Sequence, residues 1–315
     1  MRYNIDMHFD LGGIVLNRRR DGQTRVLESF YDSFKKGEFK LIVAAIFIET
    51  IMADVSLREA LLQIQALKDD IKESDHFKLV SKSEDLKDDK IGILLSLEGA
   101  EPILREKSLL KIFYDLDVRG LGLVWSRRNF VADGSYFRSP EEGILGGLTP
   151  FGIEVVREAE RIGYFIDVSH LNDTGFEDVL KYTDNAFIAS HSNTRMVNEM
   201  PRNLSDDQIK AIGLRGGIIG INAYTSVVQL NQEKQSVQTL CDHIEHIINV
   251  AGDHVPCIGF DLCTPYYDNG KMLDVIDGHH DLHKIELELK KRDFSQETIN
   301  KVFGKNAYNY LSKVL

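Results

Sequence analysis

Eight short apolar runs, separated by longer amphipathic stretches along the whole chain, restrict the fold more than any other feature of this sequence. A β-branched run of a few residues followed by a 3.6-residue apolar period reads as one strand and one helix, and repetition of that unit builds a parallel sheet. The runs lie near Tyr3–His8, Leu41–Ile48, Ile91–Leu97, Gly120–Val124, Gly163–Val168, Ala186–Ser190, Gly216–Ile221 and Pro256–Phe260. Helical patterns fall near Thr24–Lys36, Ser56–Ile71, Leu104–Asp115, Thr149–Ile162, Gly175–Tyr182, Ser205–Leu214 and Cys241–Val250, with Asp281–Arg292 and Ser295–Leu311 as terminal helices. Thr149 before Pro150 and Ser205 before Asp206 and Asp207 are N-cap signatures.

Eight parallel strands form either a doubly wound open sheet or a closed barrel. No GxGxxG follows the first run, which weakens the dinucleotide-binding alternative. The expectation is therefore α/β, a (β/α)₈ TIM-type barrel with extra C-terminal helices, in one domain over residues 1–315 without a Gly, Pro or Ser-rich linker. The charge-dense Lys68–Lys90 stretch reads as a solvated helix and loop, and Tyr266–His283 as a polar loop after the eighth strand.

Composition narrows the partners. With 38 Lys and Arg against 49 Asp and Glu, the formal charge is −11, a balance that argues against a nucleic-acid surface or an anionic membrane patch. Three cysteines, Cys241, Cys257 and Cys263, fit a reducing compartment better than a disulfide framework. The opening residues lack the apolar core of a secretory signal, and no run of about 18 apolar residues marks a membrane span, so a cytoplasmic protein is expected.

Barrel enzymes build their sites at the C-terminal ends of the strands. Six ionisable residues fall there: His8 and Asp10 after the first run, Glu98 after the third, His170 and His191 after the fifth and sixth, and Asp261 after the eighth. His8 and Asp10, two apart, point to one side of an extended segment. Asp6, a step earlier, reads as a buried structural acid or a support for the pair. Two successive strands end in Ser-His, at Ser169-His170 and Ser190-His191, which puts two imidazoles within reach of one cation. Together these residues supply ligands for two divalent ions with a carboxylate between them. Imidazole and carboxylate donors suit Zn²⁺, with Mn²⁺, Co²⁺ or Fe²⁺ as alternatives.

The same residues resemble a known family. Asp6-Met7-His8-Phe9-Asp10-Leu11, Leu97-Glu98-Gly99, Gly147-Leu-Thr-Pro-Phe-Gly152, Ile166-Asp-Val-Ser-His170, Ser190-His191-Ser192, Pro201-Arg202-Asn203-Leu204-Ser205-Asp206 and Ile258-Gly-Phe-Asp261 are similar, in order, to the motifs of the membrane dipeptidase (renal dipeptidase-like) family of the amidohydrolase superfamily. The resemblance implies a zinc-dependent dipeptidase. His8, Asp10 and Glu98 would hold one zinc and Glu98, His170 and His191 the other, with Asp261 as acid/base. Arg202 would receive the substrate carboxylate, and Tyr224 would face the substrate. Trp125 stands where the kidney member has a substrate-contacting His, Cys263 replaces a second Asp, and Met7 and Phe9 replace smaller or polar residues. A homodimer is implied by the resemblance alone. The expected partner is a small-molecule dipeptide.

Two other readings compete. One keeps the site but changes the substrate to another amide, a lactam, a lactone or a phosphoester. His-x-Asp in the first strand, rather than the His-x-His of many deaminases and phosphotriesterases of the superfamily, favours the dipeptidase branch. The other is a metal-free barrel that only binds, which five occupied ligand positions disfavour. His243 and His246 read as helix-surface residues, and His279, His280 and His283 as exposed loop histidines.

Overall fold

The computed structural model describes residues 3–87, 89–139, 141–267 and 270–315. Its strands are β1 (Asn4–Phe9), β2 (Phe39–Phe47), β3 (Phe77–Val80), β4 (Ile91–Glu98), β5 (Val118–Gly122), β6 (Phe165–Asp167), β7 (Ile219–Ile221) and β8 (Pro256–Ile258). All pairings between named strands are parallel, in the order β6-β5-β4-β2-β1-β8-β7, and β3 lies off that path against β4. The gap between β6 and β7 is spanned by single parallel bridges, Asp167 to Ile188 and Ala189 to Ile219, so the sheet closes on itself as an α/β barrel of the TIM type.

The predicted sixth strand over 186–190 is thus present as a stave but not as a regular ladder. The cause is local. A Cβ on Gly220 or Gly259 would lie 1.7 or 1.8 Å from the Ser190 carbonyl oxygen, so the sixth stave crosses the next two at a distance only glycine permits.

Two further departures stand out. Phe77–Val80, inside the stretch expected to be a solvated helix and loop, is a strand, because Phe77 and Val80 bury their side chains while Lys78 between them is only half-buried and Lys82 is exposed. β3 occupies the edge of β4 that β5 leaves free, pairing with Ile91 to Leu94 while β5 pairs with Leu95 to Leu97. Leu11–Arg20 is an unpredicted helix directly behind the first strand.

Other helices fall near their expected places, including Glu28–Lys36, Ser56–Glu73, Pro150–Ile162, Asp206–Leu214 and Val237–Ala251. The Leu109–Asp115 helix starts later than the apolar pattern because Leu104 adopts a left-handed backbone, φ 52°. Thr149 Oγ1 accepts from Gly152 N at 2.9 Å, and Ser205 forms a reciprocal capping box with Gln208. Of the loop after β8, Asp268 and Asn269 lie outside the described residues. Among the described residues no helix is long and apolar enough to cross a membrane.

The inner core of Ile5, Met7, Leu41, Val43, Leu94, Phe165 and Ile188 is closed at the strand N-termini by Ala307, Tyr310 and Leu311 of the terminal helix Asn306–Val314. Apolar side chains therefore dominate the lower barrel, while His8, Glu98, His170, His191 and Asp261 gather at the opposite end.

His243 is not at the helix surface. It is buried, with Thr194 N donating to its Nδ1 (3.2 Å) and its Nε2 against the Val228 carbonyl (2.8 Å). Both nitrogens are committed to a neutral ring, and burial pushes its pKa down to about 4. The unfolded chain, with a His pKa near ~6.5, takes up a proton that the folded one refuses, so this residue's contribution is complete above about pH 6.5 and is lost as pH falls towards 4. The metal-free protein should lose about 2 kcal/mol of urea-measured stability between pH 7 and 5 through this group alone, a loss that His243→Gln should abolish. His246 keeps a surface role, paired with Asp206 at 2.7 Å.

Candidate metal centre

The strand ends set the site. Glu98 is the last residue of β4 and Phe47 the last of β2, while Trp125, His170, Tyr224 and Asp261 each stand three residues beyond the ends of β5, β6, β7 and β8. His170 and Asp261 have left-handed backbones, with φ of 68° and 53°. Such conformations cost non-glycine residues about 1–3 kcal/mol and persist where the surroundings enforce them. In β1 the ladder to β2 shifts register between Asp6 and Phe9.

Six predicted residues converge. Glu98 Oε2 lies 3.4 Å from His8 Nε2, while its Oε1 lies 3.0 Å from His170 Nε2 and 3.5 Å from His191 Nε2. One carboxylate thus faces two groups of ligands. His8 Nε2 is also 3.8 Å from Asp10 Oδ1 and 3.9 Å from Asp261 Oδ1. The Nε2 atoms of His170 and His191 are 2.8 Å apart. Close ligand-atom sets comprise His8, Glu98 and His191, and again His8, Asp10 and Asp261.

The imidazoles are held from behind by serines. Ser126 Oγ stands 2.6 Å from His170 Nδ1, and Ser190 Oγ stands 2.7 Å from His191 Nδ1 and 3.4 Å from His8 Nδ1. Ser190 Oγ is itself bonded to the Asp167 carboxylate. Each ring therefore presents Nε2 to the Glu98 carboxylate. The repeated Ser-His dipeptide is only half informative: Ser190 orients His191, but Ser169 accepts from the His191 amide and leaves His170 to Ser126.

Burial, opposed by the His8 charge and aided by that of Asp10, pushes Glu98 up to about 8 and Asp261 up to about 7. Burial holds His170 and His191 well below the usual imidazole range. His8 Nε2 and Asp10 Oδ1 are buried without a hydrogen-bond partner. Unpaired buried polar atoms are costly, and acids pressed together away from water favour an added cation. The donor set, three imidazole nitrogens and the carboxylates of Asp10, Glu98 and Asp261, fits divalent metal.

Above these residues opens a cavity of about 890 Å³, lined by Asp10, Glu98, His170, Arg202, Tyr224 and Asp261 together with the aromatic rings of Phe47, Trp125 and Tyr266. Arg202 is buried, donating to Ser192 Oγ and to the His191 carbonyl, both at 2.7 Å, and it lines the cavity. Asp261 Oδ2 accepts from Asn222 Nδ2 at 2.9 Å. Cys263 also lines the cavity, its amide held by Asp274 at 3.1 Å. Asn222, Ser126 and Phe47 escape sequence reasoning because no spacing marks them.

Asp6 takes the structural role. Its Oδ1 accepts from His8 N and Phe260 N, and its Oδ2 lies 2.7 Å from His279 Nε2. His279 is correspondingly buried among Phe9, Phe34, Phe39 and Phe260, contrary to the exposed loop position expected for it. His280 is partly buried against Ser33, and His283 is exposed as expected.

Residues 4–314 match the family model described as membrane dipeptidase, peptidase family M19. Dipeptidase tcpJ of Claviceps purpurea is 28% identical over 99% of this chain and 73% of its own length. Human Dipeptidase 3 is 30% identical over 82% of this chain and 52% of its own length. In structure the chain is similar to a metallo peptidase from Rhodobacter sphaeroides crystallised with a phosphinate mimic of the dipeptide L-Ala-D-Ala, with a TM-score of 0.86, 23% identity, and 100% and 99% of the two chains covered. It is also similar to a dipeptidase AC, with a TM-score of 0.87, 24% identity, and 99% and 98% covered. At those identities the likenesses establish the fold.

Proposed function

The chain belongs to the membrane dipeptidase family, peptidase family M19, whose members are metal-dependent hydrolases, and from that premise we propose that it hydrolyses the peptide bond of dipeptides with two zinc ions. The observation that carries this reading is Glu98, its two oxygens turned to His8 on one side and to His170 and His191 on the other, beneath a cavity lined by Arg202. His8, Asp10 and Glu98 would hold one ion and Glu98, His170 and His191 the other, and Mn²⁺, Co²⁺ or Fe²⁺ could use the same donors. When bound, the pair of ions supplies an activated water and a polarised carbonyl.

The chain's own residues do the rest. Asp261 takes the proton of the attacking water and passes it to the leaving amine, with Asn222 fixing its other oxygen. Arg202 receives the free carboxylate through the donors left over from Ser192 and the His191 carbonyl; its rigid anchoring sets the distance from carboxylate to scissile bond and so limits substrate length. Tyr224 and Trp125 form walls beside it, and Trp125, tilted against Phe47 (5.1 Å) and His170 (6.0 Å), supplies shape but no acceptor. The proposal includes a reducing, cytoplasmic setting, supported by three cysteines without a disulfide, and a homodimer by resemblance to the family.

A panel of L,L and L,D dipeptides assayed with zinc and with chelator tests it. Turnover should disappear with the metal and return with zinc. Hydrolysis of lactones but of no dipeptide would move the chain to a different substrate class.

A further inference from the structure

We infer that the site selects dipeptides with a basic amino-terminal residue, with Glu49 as the charge partner of that side chain and the rings of Phe47, Trp125, Tyr266 and Tyr267 as its walls. The inference rests on the dipeptidase reading and specifies its substrate class.

The cavity has two chemically different sides. Tyr136 has the Arg202 charge and Tyr224 as neighbours, which marks the side that takes the carboxylate. Tyr266 packs against Phe47, two residues before Glu49, and Tyr267 packs against Tyr266, which marks the other; Tyr267 also neighbours Tyr224, where the two sides meet. With the carboxylate on Arg202 and the scissile carbonyl over the ligand cluster, the amino-terminal side chain is left to this second side.

Its walls are aromatic and continuous. Ring centroids are 5.1 Å apart for Phe47 and Trp125, 6.0 Å for Phe47 and Tyr266, and 5.2 Å for Tyr266 and Tyr267. Glu49 follows β2 by two residues, lines the cavity, and stands outside both ligand sets. Among the described residues no cation pairs with it. The other non-ligand acid of the cavity, Glu142, is consumed by Arg127 Nε and by the amides of Arg128 and Arg138. Arg138, also on the cavity wall, belongs to the loop that brings Tyr136 beside Arg202.

A lysine or arginine stem lies along aromatic faces, and its head then meets a free carboxylate, so ring attraction and ion pairing act together. A neutral side chain gains only the rings. An acidic one meets Glu49. The substrate's α-amino group, on the carbon next to the scissile carbonyl, stays over the metal centre and does not compete for Glu49.

The test compares kcat/KM for Lys-Ala, Leu-Ala and Glu-Ala on the zinc-loaded protein and its Glu49→Gln and Glu49→Lys variants. Wild type should rank them in that order, and Glu49→Gln should lower the Lys-Ala to Leu-Ala ratio about two- to fivefold, chiefly through KM. Glu49→Lys should raise Glu-Ala above Lys-Ala, and added salt should narrow the wild-type preference. Because ratios are read, a general loss of activity in a variant cancels. A wild-type ratio of one or less, or a ratio insensitive to both variants, overturns the inference and leaves the dipeptidase reading intact. Absence of turnover on every dipeptide overturns both.

Discussion

Asp261→Asn should reduce kcat on any accepted dipeptide by about 10²–10⁴, the range by which a positioned acid/base contributes, while metal content and thermal unfolding stay near wild type. The structure makes this substitution unusually clean. Asp261 sits at φ 53°, a conformation that asparagine tolerates and most residues do not. Its Oδ2 accepts from Asn222, a bond an amide oxygen can keep. What the amide cannot do is hold the proton of the attacking water. Elemental analysis and a melting curve beside the rate measurement separate proton handling from collapse of the site; turnover within about tenfold of wild type would remove Asp261 from the reaction.

Glu98→Gln should cost still more, because it removes the one carboxylate that faces both ligand groups. An amide presents an oxygen to only one side and turns an N–H donor towards the other, either at His8 or at the pair His170 and His191. Metal affinity should fall by more than the roughly 10–100-fold typical of losing an outer hydrogen-bond partner, and turnover with it. Zinc content after dialysis against a buffered metal series is the measurement. Full retention of metal with full activity would show that Glu98 does not join the two halves of the site.

Much of this was legible in the chain because strand-end position and residue chemistry coincide. A carboxylate closing the apolar run Ile91–Leu97 and histidines closing two more have few explanations other than a shared ion. Architecture was equally readable where runs were apolar throughout. It failed where burial was mixed: β3 hides two apolar residues among lysines, so composition pointed to solvent. The Leu11–Arg20 helix opens with two glycines after Leu11 and groups its apolar and basic residues in separate blocks, leaving no 3.6-residue period to detect. His243 and His279 were misplaced for a related reason. A histidine can be buried when its ring finds polar partners, and those partners, Thr194 and Val228 in one case and Asp6 in the other, are remote in sequence. The Ser126 support of His170 is likewise a contact across 44 residues that no local pattern announces.

The bond between Asp6 and His279 joins positions 273 residues apart and fastens the first strand to the segment that follows the last. Its partner bond from Phe260 N to the same carboxylate spans 254. During synthesis, the first ligand pair therefore leaves the ribosome long before anything exists to seat it, and His8 and Asp10 acquire their final surroundings only when the eighth stave docks. Closing such distant pairings is slow in folding, and until it happens the uncovered β1 edge is open to association with other chains. The surroundings of His8 and Asp10 are thus among the last parts of this polypeptide to be completed.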